Sequence, residues 1–146
     1  MRIIAGKHQR RIVRPPANLP VRPTTDIAKE ALFNILNNIS VIEGSKVLDL
    51  FAGTGSISYE FASRGAVSVV SVDLNFKCIE FIKKTKRELD LRNLFPFRSD
   101  VFRYLQGCKS KFDIIFADPP YSLEGIEKVH SLVFENNLLA EDGLLI

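Results

Sequence analysis

Two prolines flanked by an acid and a tyrosine form the most chemically specific segment of this sequence. Asp118, Pro119, Pro120 and Tyr121 directly follow the apolar run 112–117, which has the length of a buried strand. Each proline fixes its own φ and removes an N–H donor, so the loop is stiff and its carbonyl oxygens remain free as acceptors. An amine on a planar group would find acceptors in the Asp118 side chain and the Pro119 carbonyl, and a stacking surface in Tyr121. A simple turn or a peptide-docking motif is the alternative, and the direct exit from a buried strand argues against both.

A glycine turn is the second candidate site. The run 47–51 is apolar except for Asp49, and Gly53 and Gly55 follow it. Glycine permits positive φ and close approach of a ligand, and the helix predicted at 56–64 would direct free N–H groups at the turn. Such a turn can bind the polar part of a nucleotide-like ligand. An ordinary strand-to-helix turn is the alternative, but a buried carboxylate needs a partner, which favours a ligand.

Two further acids lie at the ends of predicted strands. Asp73 ends the strand 67–73, 20 residues after the first glycine of the turn. An acid at this position accepts hydrogen bonds from ribose hydroxyls in nucleotide-binding βαβ units. Asp100 follows the short strand 94–98 and is expected at the same edge of the sheet. Each acid could instead cap the helix that follows it, and Asn75 could take that role in place of Asp73.

The elements that must position these residues predict an α/β domain. Strands are expected at 47–51, 67–73, 94–98, 112–117 and from Gly143, and helices from a cap at 24–26 to Ile39 and at 56–64, 76–91, 101–105 and 124–137. Pro96 indicates that its strand lies at an edge. The first helix has apolar residues at helical spacing, which predicts packing on the sheet through Ala28, Ala31, Leu32, Ile35, Leu36 and Ile39.

The first 23 residues are strongly basic. They contain six of the 20 basic residues and none of the 17 acidic ones. Such a concentration of positive charge is what binding to a phosphate backbone requires, and a solvated hairpin that only aids solubility is the alternative. Residues 2–6 and 11–14 are predicted to pair as a hairpin, and the prolines that follow keep 15–23 extended over the domain. His8 is expected to be an exposed turn residue or a phosphate contact.

Composition favours one soluble domain. The chain has 146 residues, of which 46% are hydrophobic and 25% charged. No apolar run approaches the length of a membrane span, and Met1–Ile4 does not open a signal peptide, so we expect a cytoplasmic protein without a membrane partner. Cys78 and Cys108 have no His or Cys at metal-ligand spacing, which predicts reduced thiols and no metal site.

The combined motifs resemble the Rossmann-like, S-adenosylmethionine-dependent methyltransferases. Asp49–Gly55 is similar to their first motif and Asp73 to their second-strand acid. The segment 118–121 resembles the (Asn/Asp/Ser)-Pro-Pro-(Tyr/Phe) motif of enzymes that methylate exocyclic amines of bases. Three further segments resemble one family within that class. Residues 2–6, 22–26 and 30–34 are similar to the RsmD family of small-subunit ribosomal RNA guanine-N2 methyltransferases.

The resemblance implies methyl transfer from S-adenosylmethionine to N2 of a guanine in small-subunit (16S) ribosomal RNA. The substrate would be the RNA or an assembling small subunit, and the enzyme a monomer without a metal. The family fold is a Rossmann-like sheet of order 3-2-1-4-5-7-6 with helices on both faces. It implies a basic hairpin and arm at 1–23, a methyltransferase domain at 24–146, and strands 6 and 7 beyond Ile146 that are expected to be missing here.

Site residues follow from the same resemblance. The catalytic residues would be Asp118, Pro119, Pro120 and Tyr121. The cofactor-binding residues would be Asp49, Phe51, Ala52, Gly53, Thr54, Gly55, Asp73, Leu74, Asp100, Val101 and Asp118. The nucleic-acid-binding residues would be Arg2, Lys7, Arg10, Arg11, Arg14, Arg22 and Thr24.

Three other functions remain open at this point. An N6-adenine or N4-cytosine methyltransferase acting on DNA or another RNA would share the 118–121 motif. An oxidoreductase would use the glycine turn for a dinucleotide, but Ser58 replaces the third glycine of that fingerprint and the two prolines would have no role. A non-catalytic RNA-binding module is the third, and the intact 118–121 loop argues against it.

Overall fold

The computed structural model describes all 146 residues and alternates strands with helices along most of the chain. Its elements are α1 (Asp26–Ile39), β1 (Lys46–Leu50), α2 (Ser56–Ser63), β2 (Ser68–Asp73), α3 (Phe76–Leu89), β3 (Leu94–Arg98), α4 (Val101–Gly107), β4 (Phe112–Ala117), α5 (Glu127–Glu135) and β5 (Leu139–Leu145). No helix is both long enough and apolar enough to cross a membrane. The predicted α/β class is confirmed.

The five strands form one parallel sheet in the order β3-β2-β1-β4-β5. β3 lies at an edge, as Pro96 predicted. The chain moves from β1 outward through β2 and β3 and then returns to the other side of β1 for β4 and β5. The carboxyl ends of β1 and β4 therefore border the point where the strand order reverses, which is where ligands bind in open α/β sheets.

Alternation along the strands builds one hydrophobic core on each face of the sheet. Val47 and Ile114 lie in the core that contains α2 and α3, whereas Leu48 and Ile115 lie in the core that contains α4 and α5. Successive side chains of a strand point to opposite faces. Asp49 therefore lies on the same face as Val47, towards α2.

The last strand begins earlier than predicted. β5 starts at Leu139, not at Gly143, and its pairing with β4 shifts register between Phe112 and Ile114. The polar residues 141–143 have the composition of a turn, but the strand accommodates them in this irregularity, where Asp142 has a φ of 61°.

Helix α1 joins the core that contains Val47 of β1, but the face that it buries only partly matches the predicted one. Its buried residues are Lys29, Phe33 and Leu36, and the residues of the predicted face that are exposed are Ala28, Ala31, Ile35 and Ile39. The Phe33 ring packs on the Phe61 ring of α2 with centroids 4.7 Å apart. The apolar pattern indicated another face because the buried face includes Lys29, which a search for apolar residues leaves out. A buried lysine is stable only with a buried partner.

The amino-terminal hairpin forms as predicted and lies on α2. Arg2 and Ile12 form an antiparallel bridge, and residues 15–23 contain no helix or strand. The Lys7 N–H donates to the Ser63 carbonyl of α2 at 2.8 Å. Gly6 has a φ of 85°, and a Cβ there would lie 2.0 Å from the same carbonyl oxygen, so only glycine permits this approach.

A buried carboxylate holds the hairpin in place. Glu60 of α2 accepts hydrogen bonds from the backbone N–H groups of Ile4 and Ala5 at 2.9 and 3.0 Å. Its other partners are Arg64 Nε at 2.9 Å and Lys29 Nζ at 3.5 Å. Burial lowers the pKa of Lys29, and the Glu60 charge opposes that effect. The carboxylate therefore joins the hairpin, α1 and α2.

We expect Glu60→Gln to lower the free energy of unfolding by about 3 kcal/mol, because it leaves the buried Lys29 cation without its counter-charge. Urea denaturation would measure this. The control is Glu88→Gln on α3, where the exposed carboxylate lies 3.8 Å from Lys84, and it should change stability by less than about 0.5 kcal/mol. Equal losses in the two variants would contradict the role assigned to Glu60.

Candidate functional site

A cleft of about 1090 Å³ opens at the carboxyl ends of the central strands. It brings together nearly all of the predicted cofactor and catalytic residues. Those that line it are Asp49, Phe51, Ala52, Gly53, Thr54, Asp73, Leu74, Asp100, Val101, Asp118, Pro119, Pro120 and Tyr121. Gly55 is the one predicted cofactor residue that does not line it.

The two glycines of the turn have different surroundings. A Cβ on Gly53 would meet only the Val21 side chain, at 3.5 Å, whereas a Cβ on Gly55 would lie 2.6 Å from the Tyr59 ring. Gly55 has a φ of 83° and occupies the N-cap of α2, where it offers no side chain to the first helical turn. Ser56 and Ile57 of that turn line the cleft. Gly55 thus permits close packing, and the uncapped helix terminus suits a polar or anionic group.

Asp49 has the partner that its burial requires within the protein, so this carboxylate does not by itself indicate a ligand. Its carboxylate accepts a hydrogen bond from the Ser58 hydroxyl, whose oxygen accepts one from Ser71 at 2.6 Å. Burial raises the pKa of Asp49 to about 7; the Ser58 bond opposes this, and the nearby Asp73 charge adds to it. Ser58 appeared in the sequence only as a replaced glycine, and the spacing of nine residues gave no sign that it binds Asp49.

Asp73 ties the end of β2 to the glycine turn. One carboxylate oxygen accepts from the Gly53 N–H at 2.9 Å and the other from the Asn75 N–H at 2.8 Å. Asn75 is the residue that caps α3, since its side chain accepts from the Cys78 N–H at 3.2 Å. Each oxygen of Asp73 keeps a second lone pair that a ribose hydroxyl could use.

Asp100 is a helix cap as well as a cleft residue. Its side chain accepts from the Arg103 N–H at 3.0 Å at the start of α4. The capping alternative is therefore the one that this side chain adopts. Val101 follows as the first residue of α4 and contributes an apolar surface to the same cleft.

The 118–121 loop leaves β4 at the rim of the cleft. Asp118 is exposed, and the Tyr121 side chain is fully exposed, so both faces of its ring are open. The Pro120 carbonyl accepts from the Leu123 N–H at 3.0 Å, which closes the turn and does not involve the Pro119 carbonyl. An acceptor pair and an open ring thus lie beside the glycine turn.

The predicted nucleic-acid residues fall into three groups. Arg22 and Thr24 line the cleft, whereas Arg2, Lys7, Arg10 and Arg11 belong to the hairpin and do not. Arg14 lines a smaller neighbouring groove. His8 in the hairpin turn has a lowered pKa, mainly through partial burial and then through the charges of Lys7 and Arg11.

Several cleft residues escaped the sequence analysis. They include Asn18 and Val21 from the connector 15–23, Phe76 and Lys77 from α3, and Arg98 from β3. The prolines predicted an extended connector over the domain, but they do not indicate which face it covers. Outside the cleft, Cys78 is a buried free thiol as predicted, and burial raises its pKa to about 11.

The chain matches, over residues 1–146, a family model described as Conserved hypothetical protein 95. It is 32% identical to ribosomal RNA small subunit methyltransferase D of Buchnera aphidicola subsp. Baizongia pistaciae, over 99% of this chain and 74% of that protein. The chain belongs to this family. The resemblance of its motifs to the RsmD family is thereby confirmed.

Solved structures support the fold. The Escherichia coli protein yhhF superposes with a TM-score of 0.87 at 29% identity, over 99% of this chain and 78% of its own. Coclaurine N-methyltransferase bound to N-methylheliamine and SAH superposes with a TM-score of 0.67 over 84% of this chain and 36% of its own. That enzyme is only 22% identical, so it bears on the fold alone. The predicted Rossmann-like methyltransferase fold of this RsmD-family chain is confirmed.

The raised pKa of Asp49 makes a testable prediction about stability. Between the ordinary value of 3.8 and about 7, the unfolded chain releases a proton that the folded chain retains, so rising pH favours unfolding. Asp49→Asn replaces the carboxyl group with an amide, which does not titrate in this pH range. From about pH 5 to about pH 7 the wild type should lose unfolding free energy relative to the variant, by at most about 1.4 kcal/mol per pH unit. Parallel urea-denaturation results for the two proteins across this range would contradict the assignment.

Proposed function

We propose that this protein transfers the methyl group of S-adenosylmethionine to the exocyclic N2 of a guanine in small-subunit (16S) ribosomal RNA. The observation that carries the proposal is the 118–121 loop on the same cleft as the glycine turn. Amine acceptors and a ligand-binding turn are the two parts that such a transfer needs. The name of the Buchnera relative supports ribosomal RNA of the small subunit as the substrate.

The chain offers residues for each part of the cofactor. The turn at Gly53 would hold the methionine portion, with Asp49 and Ser58 fixing the turn from below. Asp73 would accept hydrogen bonds from the ribose hydroxyls, and the adenine would lie against Leu74, Asp100 and Val101. When bound, S-adenosylmethionine supplies a methyl group on a sulfonium that is itself the leaving group.

The protein's part in the reaction would be to position the guanine amine. A base must leave its stack to reach such a pocket, and the open Tyr121 ring would stack on it. Asp118 and the Pro119 carbonyl would accept hydrogen bonds from the amine, drawing its lone pair out of conjugation with the ring. The stiff prolines keep these acceptors in place, so catalysis would rest mainly on orientation.

The basic hairpin and arm at 1–23 would bind RNA phosphates beside a methyltransferase domain at 24–146. Positive charge extends beyond the cleft through Arg2, Lys7, Arg10 and Arg11. Arg14 and Arg22 continue it towards the site, where Thr24 adds a hydroxyl that can bind a phosphate. A surface of this kind suits folded RNA or an assembling small subunit better than a small molecule. The protein would act as a monomer, without a metal.

The test is transfer of labelled methyl from S-adenosylmethionine to small ribosomal subunits that lack the modification. Asp118→Ala removes one of the two amine acceptors and should lower the rate roughly a hundredfold, measured at saturating S-adenosylmethionine because Asp118 also lines the cofactor cleft. The control is Glu135→Ala, an exposed acid at the end of α5, which should retain the rate of the wild type.

The labelled product decides between the related activities. N2-methylguanine that disappears in Asp118→Ala would support the proposal. N6-methyladenine or N4-methylcytosine would retain the role of the 118–121 loop and overturn guanine as the substrate. Wild-type protein that binds S-adenosylmethionine but transfers no label would overturn the enzymatic function and leave a binding module.

A further inference from the structure

A second groove of about 420 Å³ lies between the connector 15–23 and α3. Asn18, Phe76 and Lys77 line both this groove and the cleft, so the two spaces are continuous. The groove therefore extends the cleft along the outer side of α3.

The groove is positively charged. Arg14 at the end of the hairpin and Lys77 and Lys84 from α3 line it, and the only acid among its lining residues is Glu80. Glu80 is paired with Lys83 at 3.0 Å, which partly neutralises it. Lys84 is 3.8 Å from an acid of α3 in an exposed pair that holds it weakly. These cations are available to phosphates.

An exposed aromatic ring stands where the groove meets the cleft. Phe76 is the first residue of α3 and is 57% exposed, so its ring is accessible from solvent. The guanidinium of Arg98 lies 5.7 Å from the centre of the ring. Aromatic rings beside a basic groove are the usual surface for single-stranded nucleic acid, because every base can stack on them.

We propose that this groove binds the RNA strand adjacent to the guanine that enters the cleft. A neighbouring base stacks on Phe76, and the phosphates of the RNA strand lie along Arg14, Lys77 and Lys84. The inference rests on the proposed function and adds a direction to it. The strand leaves the cleft over α3 and passes the end of the hairpin at Arg14.

The test compares two charge reversals in RNA binding. Lys84→Glu changes the groove, and Lys109→Glu makes the same change at an exposed site before β4, at the opposite end of the sheet. The probe is a single-stranded RNA with one central guanine. We expect Lys84→Glu to weaken binding about tenfold or more at 0.1 M salt. The slope of log Kd against log salt concentration should fall by about one, the value for one lost phosphate contact. Lys109→Glu should stay within about twofold of the wild type.

The stacking contact is tested by a second pair of variants. Phe76→Ala should weaken binding of the same RNA by roughly 5- to 100-fold, and Phe76→Trp should restore it, because stacking needs only a ring. S-adenosylmethionine affinity is measured in parallel. A loss of cofactor affinity with unchanged RNA affinity would assign Phe76 to the cofactor and overturn its role here.

The outcomes separate the groove from the proposed function. Guanine methylation by the wild type with equal RNA affinity in Lys84→Glu and Lys109→Glu overturns the groove and retains the function. RNA binding that depends on Lys84, in a wild-type protein that transfers no methyl group, retains the groove and overturns the proposed function. No RNA binding by the wild type overturns both. Polyglutamate that binds as tightly as the RNA assigns the groove to an acidic protein and overturns the inference.

Discussion

The hydrogen bond from the Gly53 N–H to the Asp73 carboxylate fixes the turn on which the site depends. It joins the end of β2 to the loop after β1, and the Val72 carbonyl supports it by accepting from the Ala52 N–H at 3.0 Å. Tyr59 closes the other side, since its hydroxyl donates to the Thr54 carbonyl at 2.7 Å. The turn is therefore held by its own strands and helix before any ligand arrives, which lowers the ordering cost of binding.

Helix α2 connects the turn to the basic hairpin. Its first residues line the cleft, and Glu60, about one turn further along the helix, holds the hairpin backbone. Lys29 contacts both regions, because its ammonium donates to the Arg2 carbonyl at 2.6 Å and to the Ser56 hydroxyl at 3.2 Å. The hairpin is thus part of the same packed body as the cleft and not a flexible tail. A surface fixed in this way can set the orientation of a large substrate relative to the cleft.

The sequence predicted the strands and the acids well because both follow from local patterns. Buried parallel strands are nearly continuous apolar runs, and an acid at the end of such a run must lie at the carboxyl edge. The buried face of α1 and the start of β5 depend on distant partners. Glu60 makes Lys29 a core residue, and the pairing of Leu139 and Leu144 with β4 keeps the polar residues 141–143 within β5. Ser58 as the partner of Asp49, and the connector over the cleft, are tertiary facts of the same kind.

The cleft and the surfaces around it differ in charge. Asp73, Asp100 and Asp118 bring carboxylates to the cleft, where Arg22, Lys77 and Arg98 also lie, whereas the arm and the neighbouring groove are mainly basic. Carboxylates repel a polyanion, and the basic side chains in and around the cleft offset that repulsion for RNA. The same carboxylates attract a cationic sulfonium, and Asp118 with the turn acids would favour it there. Acidic residues in the cleft and basic residues in and around it thus suit a small cation inside and a polyanion outside. That is the charge pattern the proposed pair of substrates requires.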